Sequence, residues 1–441
     1  MKIRFLAATA ATAAVALALS GCAGADAGEE HTAGDGFEGV TLTYWASNQG
    51  ASLDNDAEIL QPELDKFEEQ TGIKVDLEVV PWSDLTNNTL SAAVSGQGPD
   101  VLNIGNTNAV TFQSTGAFLP FDEAAFEAIG GKDKFVASAL ETGGLKGEDP
   151  TSIPLYSQVY GLYYNKQMFA DAGLEPPTTW EELVDSAKEL TDPAADKWGL
   201  VFPGGTVNAS MHIAYILGQQ NGGIPFDDAG RPQFTEAGVV AGVKQYLDLL
   251  TVDGVINPSA AQYSEGPQAA GDFAQGKAAM LFAQTSSGNV LRENGMEPEA
   301  YGVVPIPAPE GGDEISSFVA GTNISIFKNT KNKEAALEFV KFMTSPEEQE
   351  IINAAYTSLP SVKDVPASAF ADYPDMLTTW SEILEDRSVP MALVTTVQAY
   401  QANVGGAVVG LFAQGATGAQ VSEADIEAAL KAAQDKMGAT G

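Results

Sequence analysis

Val159-Tyr160-Gly161-Leu162-Tyr163-Tyr164-Asn165-Lys166 is followed by Gln167-Met168-Phe169-Ala170-Asp171-Ala172-Gly173-Leu174, then by Glu175-Pro176-Pro177-Thr178-Thr179-Trp180-Glu181-Glu182-Leu183. The first six residues carry no charge and are rich in β-branched and aromatic side chains. They predict a strand buried on both faces, which requires a sheet covered by helices. Asn165-Lys166 ends that strand. A short helix follows over 167–172, stopped by Gly173 in the left-handed capping position and sealed by Pro176-Pro177. Thr179 and Glu182 then form a capping box for a second helix, with Leu183, Ala187 and Leu190 on its apolar face.

At 441 residues the chain exceeds one core and fits two lobes of ordinary size. Hydrophobic residues make up 44% and charged residues 18%, the balance of a globular protein. Acidic residues outnumber basic ones 59 to 22, so nucleic acid and anionic lipid surfaces are repelled. The only arginines are Arg4, Arg231, Arg292 and Arg387, too few to favour bidentate capture of phosphate or dicarboxylate. That shortage points to a neutral polar solute.

Val40–Trp45 alternates as a strand, Pro62–Gln70 reads as an amphipathic helix, and Ile73–Val80 as a second strand. Strand, helix, strand argues a parallel pair with a right-handed crossover. Ligands in such sheets lie off the carboxyl ends of strands, where Asn48 and Gln49 fall. The loop after Gly98-Pro99-Asp100-Val101 offers Asn103, Asn106 and Asn108, whose amides suit hydroxyl groups or, equally, their own turns. His212 sits in a helix over 208–220. The only other histidine is His31, which excludes a multi-histidine metal site. No nucleophile elbow, HExxH or phosphate loop is present, and no cofactor is called for.

At the N-terminus Lys2 and Arg4 precede Phe5–Leu19, an uncharged run of 15 residues, and then Ser20-Gly21-Cys22. A span of membrane needs about 20 residues, so the run reads as the core of a secretory leader over 1–21. Leu19-Ser20-Gly21-Cys22 resembles a bacterial lipobox, which implies a lipid on Cys22, the chain's one cysteine. Residues 22–38 lack apolar periodicity and read as the lipidated cysteine with a flexible tether.

Four stretches fall in the order found in one family: Tyr163–Leu183, Gly98-Pro99-Asp100-Val101 with Gly116–Phe121, Phe273–Met280, and Lys331–Gln349. Together they resemble the extracellular solute-binding proteins of ABC importers, in the branch with maltose- and oligosaccharide-binding proteins. The resemblance runs over nearly all of Val40–Met437. It implies a type II two-lobe α/β fold, each lobe a mostly parallel sheet flanked by helices, joined by interlobe crossovers. Lobe 1 would comprise 39–158 and 303–358, and lobe 2 159–302 and 359–441. A carbohydrate would lie between them, to be passed to an ABC permease by a monomer anchored through Cys22 on the extracytoplasmic face of the cell membrane. It would not be an enzyme.

The resemblance implies a site of Asn48, Gln49, Asn103, Asn106, Tyr156, Gln158, His212, Gln284, Thr285, Gly321 and Tyr400. Tyr156 and Tyr400 are preferred as stacking rings over Trp45 and Tyr160, which read as core. Gln284-Thr285 stands where the family carries a tryptophan, which argues a solute smaller than a long maltodextrin. A polyol is the alternative solute. Two other classes are weighed: a secreted carbohydrate-active enzyme with paired carboxylates, and an iron-binding lipoprotein using Tyr163 and Tyr164. Neighbours in a strand point to opposite faces, so those tyrosines cannot share one metal.

Overall fold

The computed structural model describes residues 36–37, 39–227 and 229–438. The expected leader, Cys22 and most of the tether lie outside the described residues. Phe37, assigned to the tether, already packs against the core of the larger lobe.

In chain order the strands are β1 Thr41–Ser47, β2 Lys74–Val80, β3 Val101–Gly105, β4 Ile153–Gln158, β5 Tyr160–Asn165, β6 Trp198–Val201, β7 Ala278–Gln284, β8 Tyr301–Val304, β9 Ser317–Phe318, β10 Ala320–Ile326, β11 Leu359–Pro360 and β12 Ser388–Val389. They build a six-stranded sheet, β11-β4-β10-β3-β1-β2, a four-stranded sheet, β6-β7-β5-β8, and a two-stranded ribbon of β12 and β9. The stretch 153–165, uncharged as expected, is two strands: β4 belongs to the larger sheet and β5 to the smaller, with Val159 as the link. The chain returns from β8 through β9 to β10, and leaves the larger sheet again after β11.

Both sheets are mixed rather than mostly parallel. β1 runs parallel to β2 and β3, and β6 to β7, as strand–helix–strand units must. The strands that the chain enters from the other lobe run the other way: β10 is antiparallel to β3 and β4, and β5 to β7 and β8. Each crossing delivers the chain from the opposite lobe, which reverses its sense. β8 pairs with β5 through Val304 and β11 with β4 through Pro360, two residues beyond the bounds drawn at 302 and 358.

The helix after β1 spans Leu53–Thr71 and starts well before Pro62. Ser52 caps it, accepting from Asn55 N–H, and Asp54 and Asp56 occupy its first turn. Leu60, Leu64 and Phe67 share its buried face, which outweighs the hydrogen bond lost at Pro62. The helix Trp180–Glu189 is capped by Thr179 as expected, although the Glu182 carboxylate returns to Thr178 N–H and hydroxyl at 2.8 Å each.

Each sheet carries its own core. In the larger lobe Phe339 stands edge-on to Tyr44 at 5.1 Å and packs on Phe67 at 5.2 Å. In the smaller lobe Phe202 contacts Tyr246 at 4.7 Å and Phe412 at 5.5 Å. The terminal helices Val397–Ala416 and Glu423–Gly438 complete this second core through Val404, Val408, Ile426 and Leu430.

Candidate functional site

Past Ser47 the chain must turn sharply from β1 into the helix Leu53–Thr71, and a buried carboxylate organises the turn. Asp56 is fully buried and accepts from the backbone N–H of Gln49 at 3.1 Å and of Gly50 at 2.9 Å, and from the Asn48 amide. The approach is close at Gly50, where a Cβ would fall 2.3 Å from Asn55 Oδ1 and displace that side chain. Burial raises the pKa of Asp56, while the donors from Asn48, Gly50 and Gln49 oppose the shift. The turn therefore holds Asn48 and Gln49 at the carboxyl end of β1.

These side chains form part of the wall of a cavity of about 200 Å³ between the lobes. The larger lobe contributes Asn48, Gln49, Trp82, Asn106 and Thr322, and the smaller Tyr160, Asn208, His212, Gln284 and Gln401. Gln49 Nε2 donates to Ser47 Oγ at 3.0 Å and Thr322 Oγ1 at 3.1 Å, and its Oε1 accepts from Gln158 Nε2 at 2.7 Å. Asn106 Nδ2 donates to the Val319 carbonyl at 3.0 Å. Asn208, Gln284, Ser286 and Ser287 also line the space, and their side chains make no hydrogen bond among the described residues. They are free to bind a polar solute.

A hydrogen-bonded chain crosses the cleft. The Tyr160 hydroxyl lies 3.0 Å from His212 Nδ1, and His212 Nε2 lies 3.4 Å from Gln401 Oε1. Gln401 Oε1 also accepts from the Thr107 hydroxyl at 3.1 Å, and Gln401 Nε2 donates to Asn108 Oδ1 at 3.0 Å. The Gln401 carbonyl oxygen acts as acceptor, which puts the imidazole proton on Nε2 and lets Nδ1 accept from Tyr160. Burial lowers the His212 pKa to about 4 against the opposing bond to Gln401, so the ring is neutral at pH 7. Its faces meet Phe318 at 4.7 Å and Tyr160 at 5.8 Å, both edge-on.

Of the expected site residues, Asn48, Gln49, Asn106, Gln158, His212, Gln284 and Gly321 line the cavity. Asn103, Tyr156, Thr285 and Tyr400 do not. Asn103 is buried inside β3, where its Oδ1 accepts from the Tyr44 hydroxyl at 2.8 Å. Tyr156 lies inside β4, edge-on to Tyr356 at 5.4 Å, and the cavity meets that strand only at Gln158. Thr285 is buried beneath the wall, its carbonyl accepting from Tyr163 at 3.2 Å and Thr357 at 3.0 Å. Tyr400 packs on Phe226 at 5.1 Å and Phe234 at 5.0 Å in the smaller lobe's core. One residue on a helix is a turn of roughly 100°, and it is Gln401 that faces the cleft.

Tyr160 packs in the smaller lobe's core as expected and also forms part of the cavity wall. Trp82, Glu265 and Gln401 were not anticipated. Trp82 follows Val80-Pro81 at the carboxyl end of β2, so the strand-end rule that selected Asn48 applied equally to it. Tyr163 and Tyr164 make no common site: the first donates to the Gln284 carbonyl at 2.8 Å, while the second packs on Phe169 at 5.2 Å. Among the described residues Glu265 is the cavity's one carboxylate, whereas glycoside hydrolysis in its usual form needs two.

Two sheets with separate cores, joined by crossings and enclosing a polar cavity lined from both sides, define a two-lobed binding protein. Residues 50–350 match the family model of bacterial extracellular solute-binding proteins, and the chain belongs to that family. A protein of Brucella abortus named only as a binding protein is 26% identical over 276 residues, 62% of this chain and 65% of its own length, so the chain spans about two thirds of that relative. The diacetylchitobiose-binding protein of Streptomyces coelicolor is 22% identical over 90% of this chain and 94% of its own. In fold, the chain is similar to a solute-binding protein of Thermotoga lettingae bound with α-D-tagatose, with a TM-score of 0.78 at 23% identity over 90% of this chain and 99% of that one. It is also similar to one of Agrobacterium radiobacter in complex with ribitol, with a TM-score of 0.74 at 23% identity over 91% and 98%.

Proposed function

We propose that this protein captures a small carbohydrate in the interlobe cavity and delivers it to an ABC-type permease. The observation that carries this is the wall itself: amides and hydroxyls from both lobes converge on one space beside the rings of Trp82, Tyr160 and Phe318. Hydroxyl groups match the amides, and the apolar C–H face of a sugar ring matches an aromatic face. Relatives named for diacetylchitobiose and maltotriose, and similar folds holding tagatose and ribitol, support this class of solute. At roughly 10–15 Å³ for each water-sized group, the space takes on the order of fifteen heavy atoms. That favours a monosaccharide or a polyol over a long maltodextrin. The lipobox-like Leu19–Cys22 supports a lipid tether to the extracytoplasmic face of the membrane.

A thermal-shift screen of the full chain against mono-, di- and oligosaccharides and polyols tests the proposal. A solute at 100 times its Kd should stabilise by about 2.7 kcal/mol and raise Tm without being consumed. Shifts with amino acids or metal ions alone would overturn the carbohydrate reading, and turnover of a bound sugar would overturn the binding-protein one.

A further inference from the structure

Among the described residues that line the cavity, Glu265 is the only one that carries a charge at neutral pH, and no lysine or arginine is among them. Glu265 precedes the helix Gly266–Ala274, and its backbone is fixed because Gln268 Oε1 accepts from its N–H at 3.1 Å and from that of Ser264 at 2.7 Å. Glu265 is partly buried, and across the cleft the hydroxyl of Ser83 is close enough to pull its pKa down against burial. Ser83 directly follows Trp82, and both Glu265 and Trp82 line the cavity, one from each lobe. Among the described residues no lysine or arginine lines the cavity to offset the charge: the side chain also serves the capping box with Gln268, and burial with the like-charged Asp84 raises its pKa. His212, elsewhere on the wall, is neutral at pH 7.

A half-buried carboxylate with no cationic partner, in the same cavity as an aromatic ring, is the combination that receives an ammonium group. The carboxylate supplies a charge-assisted hydrogen bond, and the ring supplies its negative face. We infer that the cavity selects by charge and takes a carbohydrate bearing a protonated amine, with Glu265 and Trp82 receiving the amine. An anionic sugar meets the opposite situation, a like charge and no donor stronger than an amide. The inference rests on the carbohydrate-binding reading and narrows it to one chemical class.

The test starts from the uncharged parent sugars glucose and galactose and compares each with its 2-amino, 2-acetamido and uronate forms by calorimetric titration of the full chain. At low salt the amine should bind at least tenfold tighter than its parent. The acetamide, which lacks the charge, should lose that gain, and the uronate should bind at least tenfold more weakly. Raising the salt concentration should compress the series. Glu265→Ser keeps a helix-capping oxygen while removing the charge, and should bring amine and parent to equal affinity with an unchanged Tm. A parent that binds as tightly as its amine, or an amine preference that survives in Glu265→Ser, would overturn the inference and leave the carbohydrate reading standing. Failure of parents and derivatives alike would also overturn the inference, while the carbohydrate reading is decided by the wider thermal-shift screen. The wild-type ranking and its salt dependence decide the matter even where the variant folds poorly.

Discussion

The Thr107 hydroxyl donates across the cleft to Gln401 Oε1 at 3.1 Å, so a side chain of the larger lobe is tied to a terminal helix of the smaller one. Gln401 also meets Asn108 and His212, which makes it the shared member of the chain that links both walls of the cavity. Interactions of this kind form only when the lobes are together, so they belong to the closed state.

Gln401→Ala should therefore weaken solute binding by about 1–2 kcal/mol, roughly 5- to 30-fold in Kd, with little change in the Tm of the free protein. Calorimetric titration with the solute found by the thermal screen measures this. An unchanged Kd would remove the interlobe chain from closure.

Trp82 and Tyr400 should separate affinity from stability. Trp82 is partly exposed on the cavity wall, and Trp82→Ala should cost about 1–3 kcal/mol in binding while leaving the fold intact. Tyr400 is buried between Phe226 and Phe234, so Tyr400→Ala should lower Tm by removing core contacts worth about 3–5 kcal/mol. Any loss of affinity there should follow from unfolding alone. The reverse pattern, a stable Tyr400→Ala with weak binding, would put that ring in the cleft.

The architecture was legible because periodicity, capping signals and strand–helix–strand order are local. The cap at Thr179 and the stop at Gly173 appear where the chain announces them. What stayed hidden was side-chain direction over one or two residues. Tyr400 and Gln401 are neighbours, and only helix phase against Phe226 decides which faces the cavity. Tyr156 and Gln158 share a strand, and only the depth at which the cavity meets β4 decides between them. The mixed sheets were missed for a related reason: strand sense near a crossing depends on the other lobe, and short-range patterns do not record it. Glu265 was lost among 59 acidic residues, because nothing local distinguishes a carboxylate at a cleft from one in solvent.

Asp56 acts on the solute at one remove. Its carboxylate holds the N–H groups of Gln49 and Gly50, and Asp56→Ala would leave both without their acceptor. Each orphaned donor costs about 1–3 kcal/mol, so the turn should loosen, lowering both Tm and solute affinity. Asp56→Asn retains one carbonyl oxygen and should recover part of each. Hydrogen exchange at Gln49 and Gly50 reports the turn directly, and protection equal to wild type in Asp56→Ala would refute this role.

Two groups should make stability depend on pH in opposite senses over one window. Glu348 is almost fully buried, with Lys66 Nζ 2.6 Å from its Oε1, and burial raises its pKa from 4.5 to about 7 against Lys66. The neutral acid is the form favoured by the fold, so this contribution is complete below pH 4.5 and lost as pH rises through 7. His212 is shifted from 6.5 down to about 4 by burial, so its contribution is complete above pH 6.5 and lost as pH falls through 4. The whole protein can therefore look nearly flat between pH 4.5 and 6.5 while both groups titrate. Differences against single variants expose them. Wild-type stability minus that of Glu348→Gln should fall as pH rises from 4.5 to 8, whereas wild type minus His212→Gln should fall as pH drops from 6.5 to 4. Each change should be about 1–3 kcal/mol, read from denaturant melts at fixed ionic strength. Parallel curves for wild type and either variant would mean that the corresponding group keeps its ordinary pKa in the folded protein.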